Sequence, residues 1–434
     1  MQIKSLVSAI LLFLLMHQCS YTQSGKKALE KYVTAKDSVY HWVTEQVSET
    51  AAGTFYDVKL VSQTWQHINW MHRLIVYMPS HARYANTLVL VLKHIYNRNE
   101  GMAGLAVMSD STQTPSALLY DMPNQPLFKG MQEDDLQAYT FSRYMQSGDE
   151  SWPLLFPMVK SVVRAMDAIN DLSAKEGKPA VTKFVVAGHS KRGHTAWLTA
   201  AVDERVKGII PIAIDVLNAK EQLPHHLSTF RHYSTPSTQA TAFLKRLKQP
   251  RGNDLIQLID PYGYKRVLQI PAFIVCATND EFFPTDALNL YWDELKGPKS
   301  VLYLSNAGHV RADSDPRINP AAFAFVRAIA MDTTLPSFIW RLEPSAKQIQ
   351  LIIDADNTAI TAVLWSAHSQ NRDFRHSQWS AVPIVPATNG LTKQFKADVQ
   401  YPIRGFVAFY AEIRFTGNGH SFLLSTQTTI QKSK

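Results

Sequence analysis

Three residues of this chain have the types and the order that nucleophilic catalysis requires: Ser190, Asp280 and His309. A serine hydroxyl is a weak nucleophile until a base takes its proton, and an imidazole serves as that base when a third group holds its tautomer. Ser190 sits in Gly188-His189-Ser190-Lys191-Arg192-Gly193, directly after the apolar run Lys183 to Ala187 and ahead of a segment with helical periodicity. A serine on a sharp strand-to-helix turn projects its hydroxyl from the carboxyl end of a sheet. The backbone N–H of the next residue, Lys191, then faces a developing oxyanion at a helix N-terminus. Asp280 follows the run Ile270 to Ala277, and His309 follows the run Val301 to Ser305. Both fall in loops beyond strand carboxyl ends, where active sites of open α/β sheets collect. In this reading Asp280 orients His309, and His309 takes the Ser190 proton and later returns it to the leaving group.

Each piece alone has an ordinary explanation. Asp280 or Asp286 could cap a helix, the serine could close a plain turn, and a loop histidine is usually a surface residue. The order of the three, each after an expected strand, favours a triad. Asp215, after the run Val206 to Ile214, is the rival acid and otherwise belongs in a pocket wall or a structural network. His189, beside the nucleophile, is a candidate pocket residue. A second oxyanion donor normally comes from the loop after the third strand, which points to Lys93 to Tyr96, but no Gly-rich motif marks that segment and the donor stays unassigned. Arg192 occupies a position where a small residue normally permits close helix–strand contact, and the second glycine comes one residue later at Gly193. His225 and His226 are adjacent and cannot share a helix face, no HExxH is present, and no phosphate-cradling glycine motif follows a strand. Neither a metal nor a nucleotide cofactor is expected.

The elements that must position these residues are legible as alternating patterns. Thr87 to Leu92, Lys183 to Ala187, Val206 to Ile214, Ile270 to Ala277 and Val301 to Ser305 are continuous apolar runs, as in strands buried on both faces of a parallel sheet. Val58 to Trp65, Leu74 to Met78 and Ala117 to Met122 read as further strands. Trp152, Leu155, Val159, Val162, Met166 and Ile169 recur at helical spacing, with Lys160, Arg164 and Asp167 on the opposite side. Helices are also expected over Lys26 to Glu49, Arg192 to Val202, Pro284 to Leu295 and Asn319 to Ala330. The result is an α/β fold, a mainly parallel sheet with helices on both faces. Residues 217–268 break the rhythm and read as a cap insertion. After about residue 335 the pattern becomes one of short alternating strands, with turn signals at Asp356-Asn357, Asn389-Gly390 and Gly417-Asn418-Gly419. This predicts a separate β-sandwich over 338–434, beside an α/β domain over 26–335.

Composition fits this picture. The chain has 434 residues, 46% of them apolar, which excludes a mostly disordered protein. Lys and Arg exceed Asp and Glu by 44 to 36, but the basic residues are scattered. Their densest cluster, Lys245, Arg246, Lys248 and Arg251, contains no stacking aromatics, so no nucleic-acid partner is expected. A small molecule or peptide is the expected substrate. Lys4, the apolar run Leu6 to Met16 and the small residues Ser20 and Thr22 form the layout of a secretory signal. The run is too short to span a bilayer, which takes roughly 20 apolar residues. Cleavage near Thr22 predicts a periplasmic or secreted protein with no integral membrane segment. Lipidation at Cys19 is less favoured, because His17 and Gln18 stand where a lipobox wants small residues.

Several longer stretches carry a family resemblance. Gly188-His189-Ser190-Lys191-Arg192-Gly193 with Trp197 to Asp203, Trp152-Pro153-Leu154-Leu155-Phe156-Pro157-Met158, Asn279-Asp280-Glu281-Phe282-Phe283-Pro284, Asn306-Ala307-Gly308-His309 and Arg372-Asp373-Phe374-Arg375 are similar to the PhoPQ-activated pathogenicity-related (PqaA-type) proteins. The resemblance implies an exported α/β-hydrolase-like domain followed by a fibronectin-like or immunoglobulin-like β-domain. It also implies that Ser-Lys-Arg-Gly is the family's own spelling of the nucleophile turn. His189 departs from the small residue usual there and would reshape the pocket. The resemblance supplies no substrate; it is the set Ser190, Asp280 and His309 that points to serine hydrolysis of an ester, peptide or amide. The rival expectation is a catalytically silent binding or signalling protein on the same fold.

Overall fold

A computed structural model describes residue 25 and residues 27–235, 237–264, 266–389, 392–417 and 419–434. In chain order the strands of the first part are β1 (His41–Thr50), β2 (Gly53–Trp65), β3 (Ile68–Pro79), β4 (Thr87–Leu92), β5 (Ser116–Leu119), β6 (Lys183–His189), β7 (Val206–Ile212), β8 (Ala272–Ala277) and β9 (Lys299–Leu304). The helices are α1 (27–34), α2 (Arg98–Thr112), α3 (Glu133–Ser147), α4 (Leu155–Lys175), α5 (Lys191–Val202), α6 (Ala219–Phe230), α7 (Thr238–Arg246), α8 (Pro250–Ile259) and α9 (Ile318–Ala330).

Six strands run parallel in the order β5-β4-β6-β7-β8-β9. Both faces of this sheet are covered, which is why its strands are apolar throughout. Leu88, Leu90, Phe184 and Val186 join the core beneath α4 and α5, while Val89, Val185 and Ala187 join the core beneath α9. Leu155, Val159, Val162, Met166 and Ile169 of α4 have no exposed surface. Each such side chain contributes roughly 1.5–3 kcal/mol on leaving water. Antiparallel β3, β2 and β1 extend the sheet at one edge.

The cap region 217–268 is helical. α6, α7, α8 and a short 3-10 turn at Pro261–Gly263 lie between β7 and β8, over the carboxyl ends of the strands. Three expectations are corrected. Lys26 to Glu49 is not one helix: α1 ends at residue 34, and His41–Thr50 is a strand whose Val43, Thr44 and Val47 favour an edge pairing with β2. Pro284 to Leu295 forms two 3-10 turns, Ala287–Leu290 and Trp292–Glu294, because Tyr291, at φ −144° and ψ −7°, leaves the helical region between them. Lys160 is buried rather than on a solvated face, and its Nζ donates to Ala35 O at 2.9 Å.

From Phe338 onward the chain forms only strands among the described residues: β10 (Phe338–Pro344), β11 (Gln348–Ala355), β12 (Ala359–Ser369), β13 (Ser380–Ile384), β14 (Pro386–Asn389), β15 (Thr392–Gln400), β16 (Phe406–Gly417), β17 (His420–Ser425) and β18 (Thr429–Lys432). One sheet has the order β10-β11-β15-β14. The other strands do not stand apart from the α/β part. β17 pairs with β9 through Ser425 and Val301, so one sheet continues from β1 to β13. β16 is buried on both faces. Phe409, Ile413 and Phe415 share a core with Leu351 and Phe395 of the second sheet, while Tyr410 packs on Tyr303 of β9 with ring centres 5.1 Å apart. Among the described residues, no helix is long and apolar enough to cross a membrane.

Candidate active site

The turn after β6 is built for close approach. Ser190 has φ 56° and ψ −128°, a left-handed conformation that costs of order 1–3 kcal/mol and persists only where its surroundings impose it. Its N–H donates to Ile212 O at 2.8 Å, tying the turn to β7. A Cβ on Gly188 would lie 2.6 Å from the Arg192 carbonyl carbon. A Cβ on Gly193 would lie 2.7 Å from both Gly188 O and the Ile214 side chain. Helix–strand contact therefore runs through Gly193. Arg192 turns aside, donating from Nε to Met122 O at 2.6 Å and from Nη2 to Glu133 Oε1 at 2.5 Å.

The other two residues meet this serine. Ser190 Oγ donates to His309 Nε2 at 3.0 Å, and His309 Nδ1 donates to Asp280 Oδ2 at 2.9 Å. The carboxylate at Nδ1 fixes the imidazole tautomer with its acceptor nitrogen toward the serine. Asp280 Oδ1 accepts the N–H groups of Phe282 at 2.8 Å and Phe283 at 3.1 Å. The capping role open to Asp280 and its role toward the histidine thus use different oxygens. Asp280 and His309 are buried, and the Phe282 ring stands edge-on to His309 at 4.7 Å. Such a chain can move a proton from a serine hydroxyl to imidazole while a buried carboxylate stabilises the imidazolium.

The remaining candidates separate. Lys191 occupies the first position of α5, where N–H groups lack intrahelical acceptors. Its side chain does not point to solvent; it is buried and pairs with Glu133 and, at 2.8 Å, with Asp134. Burial opposes ionisation of Glu133, but Lys191 and Arg192 outweigh it and hold the carboxyl at about 2. Lys93 spends its N–H on Leu119 O at 2.8 Å, so this residue is not a second oxyanion donor. Asp215 lines the cavity but is not the partner of His309. It accepts the Tyr291 hydroxyl at 2.7 Å and lies 3.7 Å from Cys276 Sγ, and burial pushes its carboxyl up to about 6. His189 does not line the cavity. Its Nε2 bonds the His309 carbonyl at 2.8 Å, and its ring lies 4.7 Å from the His309 ring.

Ser190 and His309 open onto a cavity of about 270 Å³ beneath the cap. Phe141 of α3, Phe243 and Leu244 of α7, and Ile256 and Ile259 of α8 supply apolar walls. His194 and His226 also line it, and burial holds both down at about 4, so they are neutral at pH 7. A larger cavity of about 590 Å³, near Trp292 and Trp340, lies at the opposite ends of the strands, away from this chemistry. Sequence reasoning missed Glu133, Glu281 and the apolar wall. Glu281 Oε2 accepts the His309 N–H at 2.6 Å, a contact that only its adjacency to Asp280 hinted at.

A sequence-family profile for the PhoPQ-activated pathogenicity-related proteins matches residues 29–375. The chain belongs to this family. The match to the PhoPQ-related family covers the α/β part and continues through β10, β11 and β12 to Arg375. Autocrine proliferation repressor protein A of Dictyostelium discoideum is 26% identical over 427 residues, spanning 89% of this chain and 85% of that protein. Among solved structures, an acetyl xylan esterase from Paenibacillus sp. R4 aligns with TM-score 0.47 at 16% identity, covering 72% of this chain and 93% of that one. Acetyl xylan esterase 1 from Thermoanaerobacterium sp. JW/SL YS485 aligns with TM-score 0.48 at 12% identity over the same shares.

Proposed function

We propose that this chain is an exported serine hydrolase that cleaves esters or amides through an acyl-enzyme on Ser190. One observation carries the reading: the hydrogen-bonded chain from Ser190 through His309 to Asp280 opens onto an apolar cavity. Ser190 Oγ attacks the substrate carbonyl as His309 Nε2 takes its proton. The Asp280 carboxyl group, hydrogen-bonded to Nδ1, stabilises the imidazolium, and the oxyanion faces the Lys191 N–H. Collapse expels the alcohol or amine, protonated by His309. Water, deprotonated by His309, then releases the acid and frees Ser190.

The walls argue against an anionic acyl group and for an apolar one. The Lys191 ammonium is engaged by Glu133 and Asp134, and the two wall histidines are neutral. The volume, about 270 Å³, lies just below the usual range of ligand pockets, roughly 300–1,000 Å³, which suits a short acyl chain rather than a polymer. Residues 1–22, outside the described residues, are read as a leader that directs the chain to the periplasm or the exterior, in preference to lipidation at Cys19. Residues 338–434 are read as a fibronectin-like or immunoglobulin-like sandwich following the α/β-hydrolase domain at 26–335.

A fluorophosphonate probe tests the reading. The wild-type protein should label, and Ser190→Ala and His309→Ala should not. Absence of labelling in folded wild-type protein would favour a second reading, a secreted binding or signalling factor, which the name of the Dictyostelium relative supports.

A further inference from the structure

The loops that carry Asp280 and His309 are both fastened to one segment from beyond the α/β part, residues 372–379 between β12 and β13. Asn279 immediately precedes Asp280. Its Nδ2 donates to three carbonyls of that segment: Phe374 at 3.3 Å, Arg375 at 3.1 Å and Ser377 at 2.7 Å. Asn306 stands three residues before His309, at a left-handed φ of 57°. Its amide pairs with one backbone unit in both directions, Nδ2 donating to Trp379 O at 2.9 Å and Oδ1 accepting from Trp379 N at 2.8 Å. A primary amide has both donors and an acceptor, so each asparagine replaces the ladder partners that a loop backbone lacks.

The same segment reaches the cap. Arg372 pairs with Asp286, which also bonds His225 of α6 at 2.8 Å. Arg375 lies over the Phe230 ring at 4.0 Å and donates to Ser234 Oγ at 3.0 Å. Ser234 donates to Glu281 O at 2.6 Å, and the Glu281 carboxylate holds the His309 N–H. The segment is itself anchored by the buried rings of Phe374 and Trp379, with Trp379 packed 5.5 Å from Tyr410 of β16. The family match, which runs past the α/β part to Arg375, takes in much of this contact.

We propose that residues 372–379 brace the active site, and that Asn279 and Asn306 are positioning residues that hold the acid loop and the base loop in reacting register. The inference rests on reading Ser190, His309 and Asp280 as a catalytic chain. Catalytic groups must be held within about 0.5 Å of their productive geometry, and a displacement of about 1 Å can cost roughly a hundredfold in rate. Irregular loops at sheet ends do not supply that rigidity alone. The strands after residue 337 therefore form part of the catalytic apparatus rather than an appended docking module.

The test uses the full chain and two readouts, steady-state hydrolysis of an activated p-nitrophenyl ester and the rate of fluorophosphonate labelling. Asn279→Ala and Asn306→Ala should lower kcat and the labelling rate about ten- to a hundredfold. KM should stay within about twofold, because neither residue lines the cavity. Arg372→Ala tests the brace at a side chain that is 39% exposed, and so without removing a buried amide; a several-fold fall is expected that persists at temperatures equally far below each variant's midpoint, since the buried Asp286 keeps only His225 and the variant melts somewhat earlier. His376→Ala, an exposed neighbour, should behave as wild type. The proposal is overturned if the asparagine variants melt and turn over like wild type. It is equally overturned if their losses vanish at temperatures equally far below each variant's midpoint, or, should both asparagine variants fail to fold, if Arg372→Ala retains full rate. A wild-type protein that does not label overturns the hydrolase reading itself, before any variant is compared.

Discussion

Asp215 shows how one residue can look catalytic and do something else. It follows β7 at the carboxyl end of the sheet, faces the cavity and is buried, yet its oxygens are engaged by Tyr291 and Cys276. Burial, with Asp280 and Asp286 nearby, raises its carboxyl to about 6, and the Tyr291 hydroxyl only partly offsets this. The unfolded chain releases this proton near the usual value of about 4. Between about pH 4 and pH 6 the folded state therefore binds more protons than the unfolded state, and stability falls as pH rises through that window. Asp215→Asn keeps an acceptor for Tyr291 and removes the charge. The variant should match wild type near pH 4 and be more stable by about 2–3 kcal/mol above pH 7. Denaturant titrations at the two pH values check this, and equal stability at both would sink the assignment.

At the scale of elements, Glu133 at the start of α3 joins α5, the helix that follows Ser190, to the loop before α3. Lys191 and Arg192 both pair with it, and Gln125 donates to it at 2.7 Å. Glu133→Gln should cost about 1–2 kcal/mol at pH 7, because Arg192 loses its counter-charge while Lys191 keeps Asp134, and solvent screens a carboxylate that is 36% exposed. The Glu133 carboxyl is held low, so its contribution is full above the ordinary carboxylate range and is lost as pH falls through about 2. Melting curves of the two proteins should converge toward that pH; a constant gap would point to lost packing instead. This network was hidden in the sequence. Strands β4, β6 and β8 were legible because burial on both faces leaves an uninterrupted apolar signature. The chain order of Ser190, Asp280 and His309 was legible because each follows such a run. β1 was missed because a half-exposed edge strand carries little pattern. The 3-10 turns after Pro284 were missed because local propensity there gives way to packing. Asparagines bonded to loop carbonyls, such as Asn279 and Asn306, follow no period at all, and only the folded chain reveals them.

For the whole molecule, the question is whether the strands after residue 337 unfold independently. Two observations argue that they do not. The sheet is continuous across the β9–β17 pairing, and Ser425 Oγ accepts Tyr303 N–H at 3.1 Å beside it. The two largest apolar cores also contain residues from each part: Phe273 and Phe325 cluster with Phe409 and Phe415, and Tyr303 clusters with Trp379 and Tyr410. A linker-separated module would show its own core and a wet interface. Here the first part, cut at residue 337, would expose Tyr303 and the edge of β9. Calorimetry of the full chain should therefore give one cooperative transition, with the van't Hoff enthalpy close to the calorimetric one. Two resolved transitions would show that the C-terminal strands fold on their own. In that case the asparagine brace would join two separately stable units, and its loosening could regulate the active site without unfolding either.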